Sequence, residues 1–356
     1  MIEPWLEHWL SGVPPAGWAA TAARQVIMVE RTDPPNSVVY PGARDAIVVV
    51  RSTSSNLAPD LRWYTGSFVA LDADIRLAGG QVITSKPYGV AEFLSFDQPT
   101  VLRVADDADF SAYLRDADIA WRAGDFADGA THPMAIIADL AGLGGPWQRA
   151  GPADRLLVLP DGTASTSPTG VPLGSVGDPL ETIVDAWDRA SANSPRPCAV
   201  CLARAVPERD RVDELLERPW LSRYLVAARA IRAARKNGRL FLTVSGFGGR
   251  LADRGRSADG GAEQPAVVDA DDAPVLLVDG DVVWAQDPAI GRFFELPPTL
   301  GRLLDRLTVA DAVRSTATGP DAVLTVDRGP RESLRRLAAD GFCAAWFRRM
   351  PSVPAD

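Results

Sequence analysis

The chain has 356 residues, 46% of them hydrophobic, and a formal net charge of −9 at neutral pH. That length suggests two or three domains, and no apolar run approaches the ~20 residues that a membrane-spanning helix needs. The acidic balance argues against nucleic acid as a partner, because phosphate binding calls for a basic stripe.

Three cysteines (Cys198, Cys201, Cys343) and two histidines (His8, His132) are present. So sparse and odd a cysteine set is not a disulfide framework. A structural zinc site wants four ligands, and only Cys198 and Cys201 lie close together in sequence. We therefore expect no metal, no other cofactor and no histidine-dependent catalysis. The N-terminus, MIEPWLEHWLSG, carries acids and no basic stretch, unlike a secretory signal; the expectation is a cytoplasmic protein without a membrane partner.

Residues 1–150 read as a mixed α/β domain. Gln25–Glu30, Ala46–Val50, Ser67–Asp72 and Gln81–Ser85 are apolar runs of strand length, separated by Pro/Gly/Asn punctuation. Asp106–Gly124 reads as a helix with an acidic start. Ala135–Leu143 fits either a helix or a buried strand.

Residues 151–250 form a second segment. RLLVLPDGTASTSP predicts a hairpin turning at Asp161-Gly162. LETIVDAWDRAS places Ile183, Val184 and Trp187 on one face of an amphipathic helix. After CAVC, a long helix is expected from about Arg211 to Lys236, capped by Asn237-Gly238. Arg239–Val244 reads as a strand leading into SGFGG. Residues 251–268 lack apolar residues over most of their length and read as a flexible linker.

Residues 269–350 show the sharpest pattern. PVLLVDGDVVWAQD is two strands around Asp279-Gly280, a dipeptide suited to a tight hairpin turn. Arg292–Leu296 (RFFEL) makes a third strand. Leu300, Leu303, Leu304 and Leu307 line one helical face, and Thr308 is placed to cap a second short helix. PRESLRRLAADGF is a third helix, with Pro330 in its first turn and Leu334, Leu337, Ala338 and Phe342 on its buried side. The fold class is thus α+β or mixed α/β, ending in a three-stranded antiparallel sheet with three helices, a winged-helix-type arrangement.

That order of elements resembles the precursor-recognition domains of ribosomally made, modified peptide pathways, typified by the small pyrroloquinoline-quinone maturation chaperone. The resemblance implies that RFFEL is an open edge, to which a leader peptide adds as a further strand beside the third helix. It assigns Arg292, Phe293, Phe294, Glu295 and Leu296 to the peptide-accepting strand, and Arg331, Leu334, Arg335 and Ala338 to the facing helix. Strand alternation lets only one of Phe293 and Phe294 face the groove.

The middle segment resembles the cluster-binding extension of radical-SAM peptide-modifying enzymes. Its PDG turn, Leu-Gly pair, Trp-bearing helix and CxxC are present, but Ser165 and Ser167 stand where a thiolate is expected. Three cysteines cannot supply the four thiolates of such a cluster, so the likeness implies a scaffold without its metals. The combination is similar to recognition proteins of daptide-type pathways. This implies a non-catalytic protein that binds a precursor leader and presents it to partner modifying enzymes.

Two rival readings are a peptide-modifying enzyme with its active site in residues 1–250 and a DNA-binding regulator using Arg331, Arg335 and Arg336. Other candidates have simpler readings. SGFGG (Ser245–Gly249) follows a strand, but it lacks the spacing of a phosphate loop. Asp72-Ala73-Asp74 and Asp106–Asp109 are acid clusters of the kind usually found solvated or in helix first turns.

Overall fold

Apolar runs such as Gln25–Glu30 and Ala46–Val50 can be buried on both faces only within a covered sheet, and that is where they lie. In the computed structural model the chain divides into two units, residues 1–115 with 128–218, and residues 116–127 with 219–356. The structure describes residues 2–13, 25–31, 46–52, 61–146, 151–192, 194, 199–253, 268–316 and 328–349, with side chains at all of these except 199, 313–316 and 328–331.

The first unit contains α1 (Pro4–Ser11), β1 (Val26–Val29), β2 (Ile47–Arg51), β3 (Arg62–Thr65), β4 (Asp74–Leu77), β5 (Val82–Pro87) and β6 (Thr100–Arg103). Next come α2 (Asp107–Ala123), whose last turns belong to the second unit, α3 (Asp128–Thr131), β7 (Ala135–Ile137) and β8 (Arg155–Val158). β9 (Thr163–Ser165), β10 (Gly174–Ser175), α4 (Leu180–Ser191) and α5 (Glu208–Glu217) complete it. Among the described residues, ten strands form one sheet, in the order β10-β9-β8-β1-β2-β3-β4-β5-β6-β7. From β8 to β7 every strand but β4 points the same way.

The sheet curls around one core. Met28, Val49, Tyr64, Ile83, Val101, Ile136 and Leu157, from seven different strands, share a buried cluster with Trp5, Leu6, Trp9 and Leu10 of α1. Helix α1 bridges the seam between β7 and β8: Trp9 Nε1 donates to the Leu156 carbonyl (3.2 Å), and the Asp139 amide donates to the Leu10 carbonyl (3.1 Å). Arg155 and Asp139, both buried, pair across the same seam at 2.6 Å. On the outer face Ile183 of α4 joins Ile27, Val29, Leu156 and Val158 in a second cluster.

The second unit contains α6 (Leu221–Lys236), β11 (Thr243–Val244), β12 (Val275–Asp279), β13 (Val282–Gln286), β14 (Phe293–Leu296), α7 (Pro298–Thr316), α8 (Arg328–Ala339) and α9 (Ala344–Arg349). Its antiparallel sheet runs β11-β12-β13-β14. The expected three strands therefore have a fourth, β11, from upstream of residues 254–267. Leu276, Val283, Ala285 and Leu296 turn to a core with Leu304, Leu307, Leu334, Phe342 and Trp346. Trp121 stacks on Trp220 at 5.1 Å and Phe126 on Tyr224 at 5.6 Å, which ties residues 116–127 into this unit.

Several sequence expectations change. Ser67–Asp72 is a turn, not a strand; Ser67 Oγ accepts from the Val69 and Ala70 amides, and the strand lies at Arg62–Thr65. Of the two readings of Ala135–Leu143, the buried strand holds for Ala135–Ile137, and a turn with Asp139 in the left-handed region follows it. The long helix at 211–236 breaks at Arg218, because the residue before Pro219 is driven from the helical region. Only Thr243–Val244 of the Arg239–Val244 run is strand. Thr308 caps nothing: its hydroxyl donates to the Asp305 carbonyl (2.8 Å) inside a continuous α7.

The unit boundaries differ from those read in the sequence, 1–150, 151–250, 251–268 and 269–350. Residues 151–218 join the first unit because β8 pairs with β1, and buried Arg211 donates to the Gly142 carbonyl at 2.9 Å. Residues 219–253 join the second. There Arg223 donates to the Ala273 and Pro274 carbonyls (2.7 and 2.6 Å), and Arg250 bridges Asp269 (2.7 Å) and Asp305 (3.2 Å). Of the expected linker, Leu251–Asp253 forms a helical turn and 254–267 lies outside the described residues. No helix among the described residues is long and apolar enough to cross a membrane.

Candidate peptide-binding edge

Strand β14 ends the four-stranded sheet and, among the described residues, forms a ladder only with β13. The direction of its backbone groups follows from antiparallel geometry, in which residues alternate between hydrogen-bonded and non-hydrogen-bonded pairs. The Asp287 amide donates to the Arg292 carbonyl (3.1 Å), which makes that pair a bonded one. Stepping along the register, Ala285–Phe294 and Val283–Leu296 are bonded pairs, whereas Gln286–Phe293 and Trp284–Glu295 are not. The N–H and C=O groups of Phe293 and Glu295 therefore point away from β13, into the open edge.

Side chains alternate on the same strand. Phe294 and Leu296 face the helical core, where Phe294 meets Phe342 at 4.7 Å, edge to face. Phe293 and Glu295 face the other side. The choice that alternation left open is thus resolved: Phe294 is on the helix side. Arg292 lies over the Phe294 ring at 5.4 Å. On the opposite face, Arg239 stacks over Trp284 at 3.7 Å and lies 5.6 Å from the Phe293 ring.

The facing helix differs in detail from its sequence reading. Leu334 is fully buried in the core and has no surface left for a ligand. Leu337 and Ala338 are the half-buried residues of α8 packed on that core, and Arg335 is exposed. Arg336 pairs with Glu332 at 2.7 Å, which offsets part of the basic character a DNA-reading helix would need. The Arg331 side chain lies outside the described residues.

No family model, no curated protein and no solved structure matches this chain.

The other motifs resolve into structural roles. Ser165–Ser167 and Cys201 do come together: Thr166 Oγ1 lies 3.4 Å from Cys201 Sγ, and Ser167 Oγ donates to the Cys201 carbonyl. Cys201 is buried and disulfide-bonded, and Cys198 lies outside the described residues. Asp72 pairs with Lys86 (2.9 Å), and Asp74 accepts from Thr84 (2.8 Å). Asp106 accepts from the Asp109 amide (2.9 Å), while Asp109 accepts from the Gly89 (2.8 Å) and Ala105 (3.0 Å) amides. In SGFGG, Gly248 adopts φ +65, and a Cβ there would lie 2.4 Å from the Ala123 carbonyl carbon. Close backbone approach accounts for that glycine without a phosphate.

Sequence reading missed Arg239 and Trp284. Trp284 was recoverable from strand alternation, since it shares a face with Phe293 once the register is known. Arg239 reaches that face from outside the expected domain, and nothing in its local sequence signals this.

Proposed function

We propose that this chain is a non-catalytic recognition protein: it holds an extended segment of a ribosomally made precursor peptide against β14 and presents it to partner modifying enzymes of a daptide-type pathway. The observation that carries this reading is the open edge at Phe293 and Glu295, which offers two N–H donors and two C=O acceptors in the pattern an added strand uses. Beside it, Phe294 with Leu337 and Ala338 supplies an apolar lining for alternate peptide side chains. Main-chain bonds give such a complex its affinity, and the lining gives it selectivity.

The test is fluorescence anisotropy with a labelled peptide encoded by a short open reading frame beside this gene, titrated with the intact chain. The intact chain is needed because the second unit draws on residues 116–127 and 219–253 as well as on the C-terminal region. Binding at micromolar concentration or tighter, weakened by proline at position 295, supports the reading. No binding by the intact, folded chain removes it.

A further inference from the structure

Arg103, the last residue of β6, is a buried cation without a matching anion. It keeps only 6% of its surface. Its Nη1 donates to the Phe68 carbonyl, and no carboxylate among the described residues lies within ion-pair distance of it. The neighbouring charges are already used. Asp139 is paired with Arg155 at 2.6 Å, and Glu30 accepts from Ser67 Oγ (3.0 Å) and the Phe68 amide, with Arg51 at 3.5 Å. Burial lowers the Arg103 pKa to about 10, with Asp139 and Glu30 acting in the other direction, so the side chain is still charged at neutral pH. A buried charge left unpaired is costly, and proteins keep one where it does something.

The donors left idle on Arg103 are informative. With Nη1 spent on Phe68, Nε and Nη2 carry no hydrogen bond to any described residue. These two nitrogens present parallel N–H groups along one edge of the guanidinium, the fork that grips a carboxylate or phosphate with two bonds. Close by on β5, Ser85 is buried to 1% exposure, and its hydroxyl has no hydrogen-bond partner. Ser85 pairs with Val101 and Pro87 with Arg103, so alternation puts the Ser85 and Arg103 side chains on the same, inner face of the curled sheet. Both lie in the carboxyl-terminal halves of neighbouring parallel strands, Arg103 as the last residue of β6.

We infer that the carboxyl end of β5 and β6 in the first unit is a binding site for a small oxyanion, a carboxylate or phosphate group, held by Arg103 and touched by Ser85. The inference rests on the first unit alone and is independent of peptide recognition by β14.

The test is thermal unfolding of the intact chain in inorganic phosphate and in a series of small mono- and dicarboxylates, against chloride at matched ionic strength. At a hundredfold excess over Kd, one bound anion should raise the midpoint by roughly 5–10 °C. The rise should vanish in Arg103→Met and shrink in Ser85→Ala. Arg103→Met should also be at least as stable as the native chain in chloride, because it removes an unpaired buried charge. A response to phosphate but not to carboxylates, or the reverse, identifies the group bound. Three results would each overturn the inference: no anion-specific rise in the native chain, an equal rise in Arg103→Met, or an Arg103→Met protein clearly less stable in chloride. The last would make Arg103 a clamp on the Phe68 carbonyl and no more.

Discussion

The most discriminating perturbation of the proposed peptide edge is Glu295→Pro. Register places the Glu295 N–H on the open side of β14, while Phe294 and Leu296 hold the strand to β13. Proline removes that donor and leaves the β13 ladder intact, and edge strands tolerate it for this reason. One hydrogen bond is worth a net ~0.5–1.5 kcal/mol. The pyrrolidine ring also occupies the space into which the neighbouring strand must come, so a second bond is lost as well. The expected cost is ~1–3 kcal/mol, or about 5- to 150-fold in Kd. Anisotropy of the labelled peptide reads this directly, with circular dichroism to show that the unfolding midpoint has not moved. Glu295→Ala keeps the N–H and should lose much less. Leu296→Pro is the wrong test: its N–H faces Val283 and its side chain is 4% exposed, so the sheet itself would suffer. If Glu295→Pro binds within twofold of the native chain while folding normally, strand addition at β14 is refuted.

Three further outcomes test the packing. Asp139→Ala strands the Arg155 guanidinium in the seam closed by α1; a loss of about 3–5 kcal/mol is expected in denaturant unfolding, and a loss under about 1 kcal/mol would show that the Trp9 and Leu10 carbonyls and Cys201 Sγ satisfy Arg155 without it. Trp346→Ala empties the second unit's core of a fully buried side chain that donates to Asp311 at 2.9 Å, and should cost about 3–5 kcal/mol, with amide exchange rising first in β12–β14. Burial first, and the Arg155 charge with it, lowers the His8 pKa to about 4, although a backbone hydrogen bond to Val13 favours the charged form. The unfolded chain therefore binds a proton near pH 6.5 that the folded chain refuses until about 4, so stability is full above 6.5 and falls as pH drops through that window. His8→Phe should flatten that part of the pH profile; an unchanged slope between pH 6.5 and 4 would place the sensitivity elsewhere.

What the sequence revealed depended on how local the determining physics was. Tight turns and amphipathic faces are set within a few residues. The Asp279-Gly280 hairpin, the 180–191 helix and the Asn237-Gly238 stop accordingly appear where the pattern put them. The failures share a different cause. Arg239–Val244 has the composition of a strand, but Leu240 and Phe241 are 60% and 85% exposed, so β11 is only two residues long. Whether a run pairs depends on the strand beside it, and β11 finds β12 some thirty residues onward, across a segment that reads as a linker. The same long-range pairing of β8 with β1 draws residues 151–218 into the first unit, against any boundary drawn by composition.

The candidate sites divide along the same line. RFFEL names itself as a strand, but which of its amides face outward follows from register with β13, a property of two strands and not of one. That register turns the Leu296 N–H toward Val283 and moves the weight within the strand to Glu295 and Phe293. Arg103 is the opposite case. In sequence it is one arginine among many at the end of TVLR, with no motif around it. Only the curled sheet reveals that Asp139 and Glu30 are committed elsewhere and that Ser85 shares its face. A charged residue is expected at a surface unless something holds it inside. The free-energy cost of an unpaired interior cation, which no sequence pattern encodes, is the reason to look for its ligand there.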